Sequence, residues 1–110
     1  MKLAIIGSRS CSVENLWEYL PRDVTLITSG GAKGVDTCAK ELAQERGIEF
    51  LEIVLEYTKY GRATPIKRND VIIDAADHVL IFWDGVSRGT QYVIRRCQKT
   101  GKPHEIILCH

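Results

Sequence analysis

The sequence has no long apolar segment, no excess of either charge and no regular cysteine pattern. The longest uncharged apolar runs, residues 3–7 and 79–83, are far below the roughly 20 residues that a membrane helix needs. The start of the chain lacks a signal-peptide cleavage pattern, so we expect a cytoplasmic, unprocessed protein with no membrane partner. Lys and Arg total 15 against 14 Asp and Glu, a formal net charge of +1. Any anion must therefore bind at a local site, because no overall field attracts nucleic acid or anionic lipid.

The four cysteines, Cys11, Cys38, Cys97 and Cys109, contain no CxxC pair and are irregularly spaced. This spacing argues against a zinc site and against a disulfide framework. Most of them fall on apolar stripes or strand positions, which indicates free, mostly buried thiols. The 3 histidines are scattered, and none stands at ligand spacing from a cysteine or an acid. The sequence therefore predicts no metal site and no cofactor.

A repeated strand–turn–helix pattern fills the chain, which we interpret as one domain over residues 1–110. Apolar runs predict five strands, at residues 3–7, 24–29, 49–55, 78–83 and 105–108. Apolar side chains at helical spacing predict four helices, over about 13–20, 35–43, 66–76 and 90–97. The alternation favours an α/β, Rossmann-like fold, with an open parallel five-stranded sheet and helices on both faces. Ligands of such sheets bind beyond the carboxyl ends of the strands, where the strand order reverses.

Three loops at the carboxyl ends of predicted strands combine glycines, hydroxyl side chains and one cation. They follow the first, second and fourth strands, at residues 7–10, 29–36 and 84–90. Glycines let backbone N–H groups approach a ligand, and a cation beside a helix start favours phosphate. The candidate ligand-binding residues in these loops are Gly7, Ser8, Arg9, Ser29, Gly30, Gly31, Ala32, Gly34, Asp36, Gly85, Ser87, Arg88, Gly89 and Thr90. Together the loops predict a site for a phosphate-bearing small molecule, whereas a single such loop is usually only a tight turn.

The best-known nucleotide motifs are missing from these loops. Residues 30–34 lack the GxxxxGK[ST] spacing of a P-loop, and the chain contains no GxGxxG dinucleotide-binding motif. We therefore expect neither a magnesium-bound triphosphate nor the chemistry of an ordinary NAD-dependent dehydrogenase.

Charged side chains near the loops are further candidates. Asp36 lies in the first turn of the second predicted helix, where the helix dipole favours a carboxylate, so a structural role and a ribose-binding role stay open. Arg68 and Asn69 open the third predicted helix, where cations are out of place unless an anion is near, so both are candidate ligand contacts. Asp36 and Asp84 are the candidate catalytic acids if the site carries out a reaction.

These motifs, in this order, resemble the SLOG superfamily, which includes SMF and lonely-guy proteins, over essentially the whole chain. The resemblance rests on residues 6–9 (IGSR), residues 29–36 (SGGAKGVD), the Arg68 and Asn69 pair, and the Gly89 and Thr90 pair. Residues 57–63, which lead to that Arg-Asn pair, look most like a small uncharacterised bacterial and phage branch of the superfamily. The resemblance implies a Rossmann-like nucleotide pocket without fixing one reaction.

The resemblance leaves three functions open. The one favoured here is a sensor or binding module for a nucleoside monophosphate or an ADP-ribose-like nucleotide sugar. The second is a nucleoside 5′-monophosphate phosphoribohydrolase, but Val93 stands where the lonely-guy motif PGGxGTxxE has its glutamate. A valine can neither stabilise an oxocarbenium-like state nor activate water, so whether the chain is an enzyme stays undecided.

The third function is single-stranded DNA binding, as in DNA-processing protein A of the same superfamily. A net charge of +1 offers no extended basic track for a strand, which makes this the weaker alternative. Superfamily members commonly dimerise, so the resemblance also leaves a homodimer open.

Overall fold

A computed structural model describes residues 1–8, 10–30, 34–53, 59 and 61–109. Three predicted site residues, Arg9, Gly31 and Ala32, lie outside these ranges. The described strands are β1 (Lys2–Gly7), β2 (Leu26–Ser29), β3 (Glu49–Glu52), β4 (His78–Trp83) and β5 (His104–Leu108). The described α-helices are α1 (Val35–Arg46), α2 (Thr64–Ala75) and α3 (Arg88–Thr100). None of them has the length and apolarity that a helix needs to span a bilayer.

The five strands form one parallel sheet in the order β3-β2-β1-β4-β5. The chain builds outwards from β1 to β3 and then returns to the other side of β1 to add β4 and β5. The strand order therefore reverses between β1 and β4, where Gly7 pairs with Phe82 at the carboxyl ends. The loops that leave these two ends diverge and open a crevice between them. The expected Rossmann-like α/β fold with a five-stranded parallel sheet is confirmed.

The core lies in two layers, one on each face of the sheet. Leu3 and Ile5 of β1 belong to the cluster that α1 covers, and Ala4 and Ile6 belong to the cluster under α2 and α3. This division follows from the alternation of side chains along a strand. Because β1 and β4 are covered on both faces, their sequences are nearly unbroken apolar runs, which explains why the sequence predicts both strands to within one residue.

The predicted helix over residues 13–20 is wrong. The described structure has only a 3₁₀ turn there, at Leu16–Tyr19. The apolar stripe itself is correct, since Leu16 is buried and Val13 packs against the same cluster. A segment that ends at Pro21 and has no side-chain cap on Asn15 gains too few intrahelical hydrogen bonds to offset the cost of nucleation.

Smaller differences concern the ends of elements. β2 begins at Leu26 rather than at residue 24, and β3 ends at Glu52, because Ile53 is described and is not part of the strand. Residues 54 and 55 of the predicted strand lie outside the described ranges. α2 begins at Thr64, two residues before the predicted start, with Pro65 in its first turn. Proline suits this position because an N–H there has no helical acceptor.

Cys11 and Cys109 are joined as a disulfide, with their Cα atoms 5.7 Å apart. The prediction of free thiols is therefore wrong for this pair and correct for Cys38 and Cys97. Spacing along the sequence could not reveal the pair, because its members are 98 positions apart. Only the parallel sheet brings the segment after β1 and the end of β5 together, on either side of β4.

Candidate functional site

A cavity of about 410 Å³ lies at the carboxyl edge of the sheet, where the loops after β1 and β4 diverge. Residues from all three predicted loops line it, together with the beginning of α2. The predicted residues that line it are Gly7, Ser8, Ser29, Gly30, Asp36, Arg68, Asn69, Asp84, Ser87, Gly89 and Thr90. Ser10 and Pro65 also line it and were not predicted. Ser10 lies within the first predicted loop, whereas Pro65, three positions before Arg68, is not marked as a site residue by any sequence signal.

Three described candidates, Gly34, Gly85 and Arg88, are not among the residues that line the cavity. Gly34 and Gly85 have φ angles of 89° and 87°, a backbone conformation that side chains disfavour. These two glycines are therefore explained by the turns they form. Arg88 is the exposed first residue of α3.

Ser8 holds the two walls of the cavity together. Its N–H donates to the Phe82 carbonyl at 2.9 Å, which continues the β1–β4 pairing past the end of the strands. Its buried hydroxyl lies 3.0 Å from that of Thr90, in the first turn of α3. The N–H of Asp84 also approaches the Ser8 hydroxyl oxygen, at 3.4 Å. Ser8 therefore positions the loop after β4 relative to the loop after β1.

Asp84 organises the loop that leads into α3. Its Oδ1 atom accepts the N–H groups of Val86, at 3.0 Å, and Ser87, at 2.7 Å. Its Oδ2 atom accepts the hydroxyl of Ser10 at 2.7 Å. The Ser10 hydroxyl and the two backbone N–H groups lower the pKa of Asp84 to about 2. A carboxylate with so low a pKa is a poor proton acceptor at neutral pH, so Asp84 suits charge stabilisation and loop positioning rather than general base catalysis.

We expect Asp84→Asn to be less stable than the wild-type protein at neutral pH, with a difference that narrows in acid. The folded-state pKa is lowered from the ordinary 3.8 to about 2, so ionised Asp84 stabilises the fold above the higher value. That contribution is lost as the pH falls through the lower value. Urea unfolding of both proteins at several pH values measures the difference. Asp23→Asn, an exposed aspartate at the opposite end of the sheet, is the control, and a difference that stays constant with pH would contradict the prediction.

Gly30 makes room for the Arg68 side chain at the end of β2. A Cβ atom at Gly30 would lie 2.8 Å from Arg68 Nε and 3.0 Å from Ile72 Cδ1. The arginine side chain therefore passes directly over the glycine, on a wall of the cavity. Gly30 was predicted because glycines admit a ligand close to the backbone, and the structure shows that this glycine also admits a cationic side chain.

We expect Gly30→Ala to weaken the binding of an anion that Arg68 contacts in the cavity by roughly threefold to tenfold, because the new methyl group would displace the Arg68 side chain from its present position. Stability should fall by about 1–3 kcal/mol, since the methyl group also crowds Ile72, a fully buried core side chain. Isothermal titration and urea unfolding measure the two effects. In an Arg68→Ala background, the same substitution should have no further effect on affinity. An equal loss in both backgrounds would mean that Gly30 acts on the ligand without Arg68.

Asn69 supplies a buried amide to the cavity. It is only 9% exposed and lines the cavity. A side-chain amide has both N–H donors and an oxygen acceptor, so Asn69 can form hydrogen bonds with a polar ligand group placed in the cavity.

The first turns of α1 and α3 border the same cavity. Asp36 is in the first turn of α1 and Gly89 in that of α3, and both line the cavity. Neither helix has a side-chain N-cap hydrogen bond. The N-terminal N–H groups of a helix carry partial positive charge, which favours an anion nearby.

Residues 85–89 match the spacing GxSxG of a hydrolase nucleophile turn. The structure does not support that role. Ser87 has a φ of −62°, without the strain of a nucleophile turn. The described histidines, His78 and His104, begin β4 and β5 at the opposite end of the sheet from Ser87, so neither can act as its base. His110 lies outside the described residues.

In the described part of the chain, no group of three or more His, Cys, Asp or Glu side chains is placed to hold a metal ion. No family model, curated protein or solved structure matches this sequence. The SLOG resemblance therefore stays a prediction from the motifs, and the functional argument depends on the geometry of the cavity.

Proposed function

We propose that the cavity binds a phosphate-bearing nucleotide or nucleotide sugar, of the nucleoside monophosphate or ADP-ribose type. One observation carries this proposal: a cavity at the reversal of strand order is bordered by Arg68, the buried amide of Asn69 and the first turns of α1 and α3. A cation, amide donors and helix N-termini are the groups that recognise phosphate in proteins. The volume of about 410 Å³ lies within the range of small-molecule sites.

The charges of the cavity divide it into two parts. Arg68 and Gly30 lie at the end of β2, so this is the part that we assign to phosphate. The carboxylate of Asp84, at the end of β4, repels a phosphate that comes close, and its oxygens already accept three hydrogen bonds. Asp36 is the candidate acceptor for a ribose hydroxyl, because hydroxyl groups are the ligand groups that a carboxylate attracts.

The residues at the positions that a hydrolase would use are poorly suited to catalysis, which favours binding without cleavage. Val93, which stands at the position of the expected glutamate, is fully buried in the core cluster beneath α3 and does not line the cavity. Asp84, with a pKa of about 2, cannot deliver or accept a proton efficiently near neutral pH. These observations favour a binding module over a phosphoribohydrolase.

Single-stranded DNA is the less favoured ligand. Among the described residues that line the cavity, Arg68 is the one Lys or Arg. A strand of several nucleotides needs a row of cations along its backbone, together with aromatic platforms for its bases. The cavity fits one small anionic ligand better than a polymer.

A thermal-shift panel tests the proposal with AMP, ADP-ribose, NAD, ribose 5-phosphate and a short single-stranded oligonucleotide. A ligand at about 100 times its Kd adds about 2.7 kcal/mol of stability, which raises the Tm of a domain of this size by roughly 10 °C or more. We expect AMP or ADP-ribose to give such a shift and to remain intact when the mixture is analysed by chromatography. Release of free base would make the protein a hydrolase. A response to the oligonucleotide alone, or to none of the compounds, would overturn the proposal.

A further inference from the structure

The disulfide between Cys11 and Cys109 lies at the same end of the sheet as the cavity. Cys11 is 2% exposed and closes a turn after β1, its N–H donating to the Ser8 carbonyl at 3.0 Å. Cys109 follows β5 and is half-buried, and its N–H donates to the Trp83 carbonyl at 2.8 Å. The disulfide thus links the two segments that flank the end of β4.

The segment on the Cys11 side is a wall of the cavity. Ser10 lines the cavity and donates its hydroxyl to Asp84 at 2.7 Å. Asp84 in turn accepts the N–H groups that order the loop into α3. A constraint on Cys11 therefore also restrains Ser10, and through Ser10 the carboxylate of Asp84.

Access to the two sulfur atoms is unequal. A second cavity, of about 320 Å³, is lined by Cys109 together with Ser12, Tyr19 and Phe82, whereas Cys11 is not among its lining residues. A dissolved thiol or disulfide therefore reaches Cys109 first. Of the free cysteines, Cys97 is fully buried, and burial raises the pKa of its thiol, which makes it a poor competitor for exchange.

We propose that Cys11 and Cys109 form a reversible disulfide whose redox state sets the order of the Ser10 wall and, through it, the affinity of the cavity for its ligand. The statement about affinity rests on the proposed nucleotide-binding function, whereas the statement about the wall does not. A wall that is already ordered loses less entropy when a ligand binds, so the oxidised form should bind more tightly.

The oxidant is a small-molecule disulfide such as glutathione disulfide. The Cys109 thiolate attacks one of its sulfurs, forms a mixed disulfide and releases one glutathione thiolate. The Cys11 thiolate then attacks the Cys109 sulfur, forms the internal disulfide and releases the second glutathione thiolate. The two cysteines lose two protons and two electrons, which glutathione disulfide gains as it becomes two thiols. Cellular glutathione and thioredoxin in a reducing compartment drive the reverse reaction.

The test uses the full chain, equilibrated in glutathione buffers of graded redox ratio. Free thiols are alkylated and located by peptide mass spectrometry, and deuterium uptake of residues 10–15 is followed without ligand. We expect Cys11 and Cys109 to become protected together, as one cross-linked peptide pair, while Cys38 stays alkylated. Uptake of residues 10–15 should slow by roughly tenfold in the oxidised form. Cys109→Ser should show the fast uptake at every ratio, and Cys38→Ser should behave as the wild type.

Two results would overturn the proposal. The first is that Cys11 and Cys109 are alkylated independently, or that either one pairs with Cys38. The second is equal uptake of residues 10–15 in the oxidised and reduced forms.

Affinity for ADP-ribose, measured in both forms, separates this inference from the proposed function. We expect roughly threefold tighter binding, or more, in the oxidised form. Equal binding in both forms would overturn regulation of the site by the disulfide. If the cysteines pair and the wall becomes ordered but no nucleotide binds in either form, the proposed function fails and the redox-sensitive wall stands.

Discussion

Replacing Arg68 with alanine is expected to weaken nucleotide binding by roughly 10- to 100-fold. A hydrogen bond to a charged group contributes about 1.5–3 kcal/mol, which corresponds to a change of that size in Kd. Arg68 is the cation among the described lining residues, and it lies over Gly30, at the part of the cavity that we assign to phosphate. Isothermal titration with the nucleotide that responds in the thermal-shift panel measures the loss.

Lys67→Ala is the matched control for this prediction. Lys67 is adjacent on α2, carries the same charge, is exposed and does not line the cavity, so its removal should change affinity by less than about twofold. Arg68→Lys keeps the charge but loses the planar guanidinium, and should give an intermediate affinity. Equal losses of affinity in Lys67→Ala and Arg68→Ala would mean that the ligand responds to the positive charge of α2 as a whole and not to a contact with Arg68. Unchanged affinity in Arg68→Ala would exclude this side chain from the site.

Gly7→Ala is expected to destabilise the protein by about 1–3 kcal/mol, the usual cost of an added group in a packed core. The new Cβ atom would lie 2.5 Å from Val35 Cγ2 and 2.8 Å from Val35 Cβ. Val35 is 1% exposed and begins α1, so it has little space to move. The substitution should separate the first turn of α1 from the end of β1, which are two borders of the cavity. Urea unfolding measures the loss.

A double-mutant cycle identifies the cause of this loss. If the clash with Val35 is responsible, the double mutant Gly7→Ala/Val35→Ala should lose less free energy of unfolding than the two single mutants lose together. The expected difference is about 0.5–3 kcal/mol. Gly89→Ala is the control for a glycine that no neighbour crowds, because its Cβ would have nothing within 4 Å. In the helix α3, that replacement should be neutral or slightly stabilising. Strict additivity of Gly7→Ala and Val35→Ala would refute the steric explanation.

The sequence predicts the architecture well because the parallel sheet has an unmistakable signature. β1 and β4 are buried on both faces, and their apolar runs marked them within a residue or so of their observed ends. The place of the cavity then follows from topology alone, since polar loops at the carboxyl ends of these strands must meet where the order reverses. That is why residues as distant in sequence as Ser8 and Thr90 could be assigned to one site.

The parts that could not be predicted depend on contacts that leave no periodic signal. Nothing in the sequence indicates that the side chain of Arg68 lies over Gly30, or that the oxygens of Asp84 accept three hydrogen bonds from its own loop and from Ser10. The pairing of Cys11 with Cys109 is of the same kind, because it follows from the order of the strands and not from spacing. Helical spacing of apolar side chains was also misleading around Leu16–Tyr19, where tertiary packing buries an apolar stripe without an α-helix.

The pairing of β1 with β4 has a consequence for how the protein folds. Leu3 pairs with His78, so the pairing of the two central strands closes a loop that contains most of the chain. Closing such a loop is slow, because the chain loses conformational entropy before many stabilising contacts have formed. No nascent or truncated chain that ends before β4 contains both walls of the cavity. The site therefore forms only in molecules in which β4 has joined β1, and a ligand of the cavity should stabilise such molecules over those in which this pairing has not formed.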